Sequence, residues 1–148
     1  MTNIQRSLRG ALLAGPVALL LACGDGYATA PYGRTFMGCD VRDIFVGDAR
    51  SGTLSSGDCR VQNAYTDMYF FDHRNDQDIL IIDLESFDFD AYLSIYDWDT
   101  GELLYENDDI NEFDTDARLS GTLPRGRYVI AASSFEAGET GQYTLTVD

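Results

Sequence analysis

Carboxylates carry the first chemical signal in this chain. Asp88 and Asp90 bracket a phenylalanine at a strand boundary, and the two-residue period of extended backbone sends both side chains to the same side. Asn107, Asp108 and Asp109 follow a second apolar run, with Asp114 and Asp116 shortly after. Calcium takes about six to eight oxygen ligands, largely carboxylates and carbonyls on loops. These two acidic loops could supply several of them if the fold brings them to one end. The same residues are also natural turn formers, because Asp and Asn side chains bond nearby backbone amides. Their spacing lacks the alternating oxygens, fixed glycine and closing glutamate of an EF-hand loop. Calcium ligation and turn capping both stand at this point.

Other chemistries find less. His73 sits in Asp72-His73-Arg74-Asn75 and reads as a lone surface histidine; no Gly-x-Ser-x-Gly elbow accompanies it. The expectation is a protein that is not an enzyme. Nine tyrosines and one tryptophan are plentiful for 148 residues. Tyr92 and Tyr96 share a strand face opposite Leu93 and Ile95, and Trp98 lies in the turn Asp97-Trp98-Asp99-Thr100-Gly101. These three rings are a candidate ligand-binding platform for a sugar or an extended peptide; burial in a core is their other use.

The elements that must position these groups are short and extended. Candidate strands run Arg50–Leu54, Thr66–Asp72, Ile79–Glu85, Ala91–Tyr96, Leu103–Glu106, Ala117–Leu123, Arg127–Ser133 and Gln142–Val147. Leu80, Ile82 and Leu84 share one face, as do Tyr128, Ile130 and Ala132, and Tyr143, Leu145 and Val147. Ser-Ser-Gly-Asp, Asp-Thr-Gly-Glu, Leu-Pro-Arg-Gly and Ala-Gly-Glu-Thr-Gly separate the runs as turns. No segment keeps a helical period. This predicts an all-β, antiparallel, jelly-roll-like β-sandwich of about eight strands.

The N-terminus has export anatomy. Arg6 and Arg9 precede an apolar run from Ala11 to Ala22, too short for a permanent membrane span, and Leu20-Leu21-Ala22-Cys23 closes it. Those four residues resemble the lipobox of bacterial lipoproteins. The resemblance implies cleavage before Cys23, lipid on that cysteine and a cell-envelope membrane as partner. In Gram-negative lipoproteins an aspartate directly after the cysteine marks inner-membrane retention. Gly24 stands there, so the outer membrane is expected if the cell is Gram-negative.

Residues 1–22 are thus expected to be a signal peptide, 23–42 a glycine-rich tether and 43–148 the folded domain. Cys39 and Cys59 remain as an even pair in an exported chain, which predicts a disulfide pinning the N-terminal segment onto the sheet. A zinc site is not expected from one histidine and no Cys-x-x-Cys. With Arg6 and Arg9 removed, eight arginines face 25 acidic residues, a net charge of −17, and there is no lysine. Such a field repels nucleic acid and favours divalent cations or basic partners; on a surface lipoprotein it also serves solubility.

From Ser51 to Val147 the chain resembles the bacterial pre-peptidase C-terminal domain, a β-sandwich often appended to secreted proteases. The carrying residues are Ser51-Gly52-Thr53-Leu54, Asp67-Met68-Tyr69-Phe70-Phe71, Ser86-Phe87-Asp88-Phe89-Asp90-Ala91-Tyr92-Leu93 and Asn107-Asp108-Asp109. Leu123-Pro124-Arg125-Gly126-Arg127-Tyr128 and Gly138-Glu139-Thr140-Gly141-Gln142-Tyr143-Thr144-Leu145 follow in the family's order. No catalytic domain precedes these blocks in this sequence. The resemblance implies a binding or accessory module for a polypeptide or polysaccharide, with a calcium-stabilised structural or adhesive envelope protein as the alternative. Calcium sites in related sandwiches attached to collagenases lend the acidic loops some support.

Overall fold

Residues 34–111 and 114–148 are described by a computed structural model; the proposed signal peptide and Cys23 lie outside the described residues. The strands are β1 (Arg34–Phe36), β2 (Cys39–Asp43), β3 (Asp48–Leu54), β4 (Cys59–Val61), β5 (Ala64–His73) and β6 (Ile79–Glu85). They continue as β7 (Ala91–Asp97), β8 (Leu103–Asn107), β9 (Ala117–Thr122), β10 (Gly126–Ser134) and β11 (Gly141–Val147). Among the described residues there is no helix, and so none long and apolar enough to cross a membrane.

Eight of these strands make a jelly roll. β7 pairs with β8, β6 with β9, β5 with β10 and β3 with β11, all antiparallel, as in one long hairpin rolled into two layers. Sideways ladders β10–β7 and β11–β6 close each layer. The layers are a seven-stranded sheet in the order β1-β2-β5-β10-β7-β8, with β4 also on β5, and a four-stranded sheet, β3-β11-β6-β9.

The period-two faces meet between the layers. Leu80, Ile82, Leu84, Tyr143, Leu145 and Val147 from the small sheet pack on Tyr65, Tyr69, Phe71, Leu93, Ile95, Tyr128 and Ile130 from the large one. The Tyr128 hydroxyl donates back to the Pro124 carbonyl at 2.7 Å, fixing the turn before β10. Tyr143 lies directly opposite Gly52, where a Cβ would fall 2.2 Å from the tyrosine Cζ. Only glycine leaves that tyrosine room to cross the core.

Three strands exceed the predicted eight, and two of them replace expected tether. Residues 34–43 form β1 and β2, with β2 running parallel to β5. β4 pairs antiparallel with the same edge of β5, and Cys59 stands opposite Thr66. The Cys39–Cys59 disulfide, with Cα atoms 5.5 Å apart, joins the two strands where they meet on that edge. The β1–β2 hairpin then folds over the outer face of the large sheet. Phe36 reaches Tyr96 and Trp98, and a second apolar cluster forms from Phe36, Cys39, Met68, Tyr96, Val129 and Ala131. β5 is therefore buried on both faces from Ala64 to Phe71.

Candidate functional site

The predicted acidic cluster divides. Ser86 organises the β6–β7 connection: its hydroxyl donates to the Gln142 carbonyl and accepts from the amides of Asp88 and Phe89. Phe89 is thereby driven into the core beside Tyr143. Asp88 becomes a strut, its carboxylate accepting from the Gln142 amide at 2.7 Å while its Cβ occupies the space a Gly141 side chain would need. Asp90 enters β7 between the ends of β8 and β10; its carbonyl accepts from the Phe135 amide.

Around Asp90 the charge is one-signed. Burial first, and then Asp109, Asp108, Glu139 and Glu136, push its carboxyl above the ordinary range. Asp90 Oδ1, Asn107 Oδ1 and Glu139 Oε2 are shielded from solvent and find no hydrogen-bond partner among the described residues. Asp90, Asn107, Asp108 and Asp109 thus gather at one end of the large sheet, while Asp88 is diverted to β11. No group of three His, Cys, Asp or Glu side chains among the described residues is arranged to hold a metal ion. The oxygens that do gather include an amide. Glu136 and Glu139 are not among the predicted site residues; the Ala-Gly-Glu-Thr-Gly segment reads as a turn and as part of the last family block.

The aromatic platform also divides. Across the outer face of the large sheet, three registered rows run Phe70–Val129–Tyr96, Met68–Ala131–Ser94 and Thr66–Ser133–Tyr92. Trp98, one residue past the end of β7, lies beside the first, covered row. It stacks beneath Phe36 at 5.8 Å and takes the edge of Phe70 at 4.9 Å, while Arg34 lies over the Phe70 ring. Its turn is tied by the Asp97 carboxylate, which accepts from the backbone amides of Asp99 and Thr100 and from the Thr100 hydroxyl. Trp98 is packed by these contacts and is not part of an open platform.

Tyr92 and Tyr96 instead border a groove of about 160 Å³ over the open part of the outer face. Its floor is small and polar: Thr66, Ser94, Ala131 and Ser133. Its walls are Tyr92, Tyr96 and Phe135 on one side, and Val61 and Gln62 of the β4–β5 turn on the other. Tyr96 is buried in its wall, whereas Tyr92 tilts against the half-exposed Phe135, ring centres 6.2 Å apart. The Tyr92 hydroxyl donates to Glu106, and burial together with that acidic partner raises its pKa.

His73 corrects the surface assignment. It ends β5 on the core-facing parity, stacks on Phe71 with ring centres 5.6 Å apart and is 2% exposed. Asp72 and Arg74, which made the segment look solvent-facing, pair with each other on the other side of the strand. His73 Nε2 has no hydrogen-bond partner among the described residues.

The two-layer arrangement with these loops has a solved counterpart. It is similar to the pre-peptidase C-terminal domain of collagenase from Bacillus anthracis, with a TM-score of 0.57, 18% sequence identity, and coverage of 74% of this chain and 95% of that one. The fold is that of a pre-peptidase C-terminal domain. No family model matches the sequence, and no curated protein matches it. Within this pre-peptidase C-terminal fold, the quoted sequence blocks fall on β3, β5, the β6–β7 connection, the end of β8, the β10 turn and β11.

Proposed function

We propose that this chain is a non-enzymatic cell-envelope lipoprotein that presents its sandwich as a binding or accessory module for a polypeptide or polysaccharide. The lipid on Cys23 holds it at the membrane. The observation that carries the reading is the groove over Thr66, Ser94, Ala131 and Ser133. A floor of small residues admits a flat or extended ligand, and the Tyr92 and Phe135 rings offer apolar surface beside hydroxyls, the usual make-up of a recognition cleft. The fold shared with a domain of a collagenase is in keeping with a module that engages a polymer; that step is analogy from fold to function.

The test is calorimetric titration of the mature protein with cell-wall glycan fragments and with denatured collagen peptides, in wild type and Tyr92→Ala. Binding that weakens about tenfold in Tyr92→Ala but is unchanged in Ser51→Ala, on the other sheet, supports the groove. Equal binding by both variants refutes it. Mass spectrometry of the mature N-terminus, with Cys23→Ser as control, tests the anchor: wild type should carry acyl chains and fractionate with membranes.

A second reading, calcium stabilisation, rests on the three unpartnered oxygens of Asp90, Asn107 and Glu139 beside Asp108 and Asp109. A divalent cation there would supply what the protein lacks, neutralising the carboxylates and filling the vacant acceptors. Melts in calcium and in chelator decide it. A site with calcium at a hundred times its dissociation constant gains about 2.7 kcal/mol by mass action, and equal midpoints would leave the acids as solvated turn residues.

A further inference from the structure

β8 is the terminal strand of the large sheet, and among the described residues nothing pairs with its outer edge. The sequence there is Leu103-Leu104-Tyr105-Glu106-Asn107, and the first four are exposed. Long or apolar open edges invite another strand, and proteins usually blunt them with charge, bulges or brevity. The other terminal strands are blunted. β1 is three residues long and carries Arg34, paired with Asp43. β3 carries the Asp48–Arg50 pair, and β9 carries Arg118 locked on Asp83 by two hydrogen bonds. β8 is five residues long, carries Glu106 and has an irregularity at Leu104 in its pairing with β7, yet it alone presents three consecutive exposed apolar residues, with neither proline nor a basic residue.

Behind this edge the sandwich is open. A slot of about 60 Å³ runs between β8 and β9 into the inter-sheet core, bordered by Tyr105 and Leu119 at the lips and by Leu80, Ile82 and Ile95 at the base. Those three base residues are otherwise sealed. The slot has room for one side chain and not for a whole ligand. Glu102, Glu106, Asp108 and Asp109 punctuate the same stretch, and the chain has no lysine to offset them. A second copy brought to this edge would set those acids against their own kind, on top of a large net negative charge on each partner.

We propose that the β8 edge docks an extended, basic segment of another protein as an added strand, with one apolar side chain of that segment seated in the slot. Main-chain hydrogen bonds then supply affinity, and the slot and the acids supply selectivity for alternating apolar and basic residues. The docking surface is the free backbone edge of β8, whose Glu106 also accepts from the groove's Tyr92.

The probe is a ten-residue peptide alternating lysine and valine, added to the full-length protein. Controls are the glutamate–valine counterpart and a lysine–valine peptide interrupted by a central proline. Hydrogen exchange followed by mass spectrometry should slow about tenfold at residues 103–107 with the lysine–valine peptide, and not at the β1 or β3 edges. Leu104→Lys, at an exposed position, should weaken binding about tenfold, whereas Ser51→Ala, on the other sheet, should leave it unchanged. Protection elsewhere, no protection at all, equal binding of either control peptide, or self-association through β8 in place of peptide binding would each overturn the proposal.

Discussion

Tyr143→Phe tests whether a polar chain threaded between the sheets is as integral as its burial implies. The Tyr143 hydroxyl lies 2.6 Å from the Tyr69 hydroxyl and donates to Asp67 Oδ2 at 2.5 Å; Asp67 in turn accepts from Arg42 at the sheet edge. Tyr69, Tyr143 and Asp67 are all buried, so water does not replace a missing partner. Phenylalanine keeps the ring and opens no cavity of consequence. The loss is then the bond to a charged acceptor, about 1.5–3 kcal/mol, together with part of the cost of orphaning the Tyr69 hydroxyl, about 1–3 kcal/mol. A total near 3 kcal/mol corresponds to a fall in Tm of about 12 °C for a domain of this size.

Urea titration at neutral pH measures that loss directly. The alkaline limb supplies a second reading of the same group. Burial, and then its tyrosine and aspartate neighbours, raises the Tyr143 pKa above the ordinary 10.0, and Tyr69 is raised as well, chiefly by burial. Both are neutral in the folded and unfolded states below pH 10, where their contribution is complete. Above it the unfolded chain ionises before the native groups do. Stability therefore falls as pH rises through that range, by at most about 1.4 kcal/mol per pH unit for each such tyrosine. Tyr143→Phe should start lower at pH 7 and fall less steeply above pH 10. A loss under about 0.5 kcal/mol at neutral pH, or an unchanged alkaline slope, would mean that the buried hydroxyl chain does not hold the sheets together.

Gly52→Ala should cost about 1–3 kcal/mol by urea titration through overpacking, and Tyr143→Phe should not rescue it, since the nearest clash is with ring Cζ rather than the hydroxyl. Replacing Cys39 and Cys59 by serine should cost roughly 3 kcal/mol from the chain entropy of the 20-residue separation, and should red-shift Trp98 fluorescence as Phe36 lifts away. Asp90→Asn should stabilise the protein in chelator, because the native site penalises a charged carboxyl. In wild type without metal, stability should accordingly fall as pH rises from about 3.8 through the raised pKa. In calcium the same variant should lose the metal-dependent rise in Tm; a variant that melts with wild type in chelator and keeps the wild-type rise in calcium would count against both statements.

Sequence reasoning reached as far as local periodicity reaches. β6 and β11 alternate because each presents one face to the core, and all eight strands of the jelly roll were legible within a few residues at their ends. β5 is different: Ala64 to Phe71 is buried on both faces, so its two-sided apolar character marks the strand but hides that its outer face has its own partner. That partner is the N-terminal hairpin, whose sequence, Arg-Thr-Phe-Met-Gly-Cys-Asp-Val-Arg-Asp, has too few apolar residues to announce a strand. It is held by non-local features, a parallel ladder to β5 and a disulfide, which no window of sequence contains. His73 was misplaced for a related reason. Its charged neighbours sit on the other face, and parity over the full length of β5 sets its direction. The acidic end was legible in Asp90 and Asn107–Asp109. Glu136 and Glu139 arrive there only because β10 ends beside the start of β7.

The covered and open parts of the large sheet's outer face are two consequences of one constraint. Cys39 and Cys59 meet opposite Thr66, so the hairpin, whose second strand starts at Cys39, can reach the Phe70 and Met68 rows but not the Thr66 row. Where it reaches, the sheet carries large apolar residues, Phe70, Val129, Tyr96 and Met68, which need a cover. Where it does not, the floor is threonine and serine, which tolerate water or a ligand. The change in side-chain size from one row to the next is what sequence alone displays as an unremarkable run, Val129-Ile130-Ala131-Ala132-Ser133. The register turns it into a boundary between a second core and a groove. Breaking the disulfide should therefore do more than destabilise: it should release the cover from Met68 and Ala131 and extend the groove across the sheet, so that ligand affinity and stability change together.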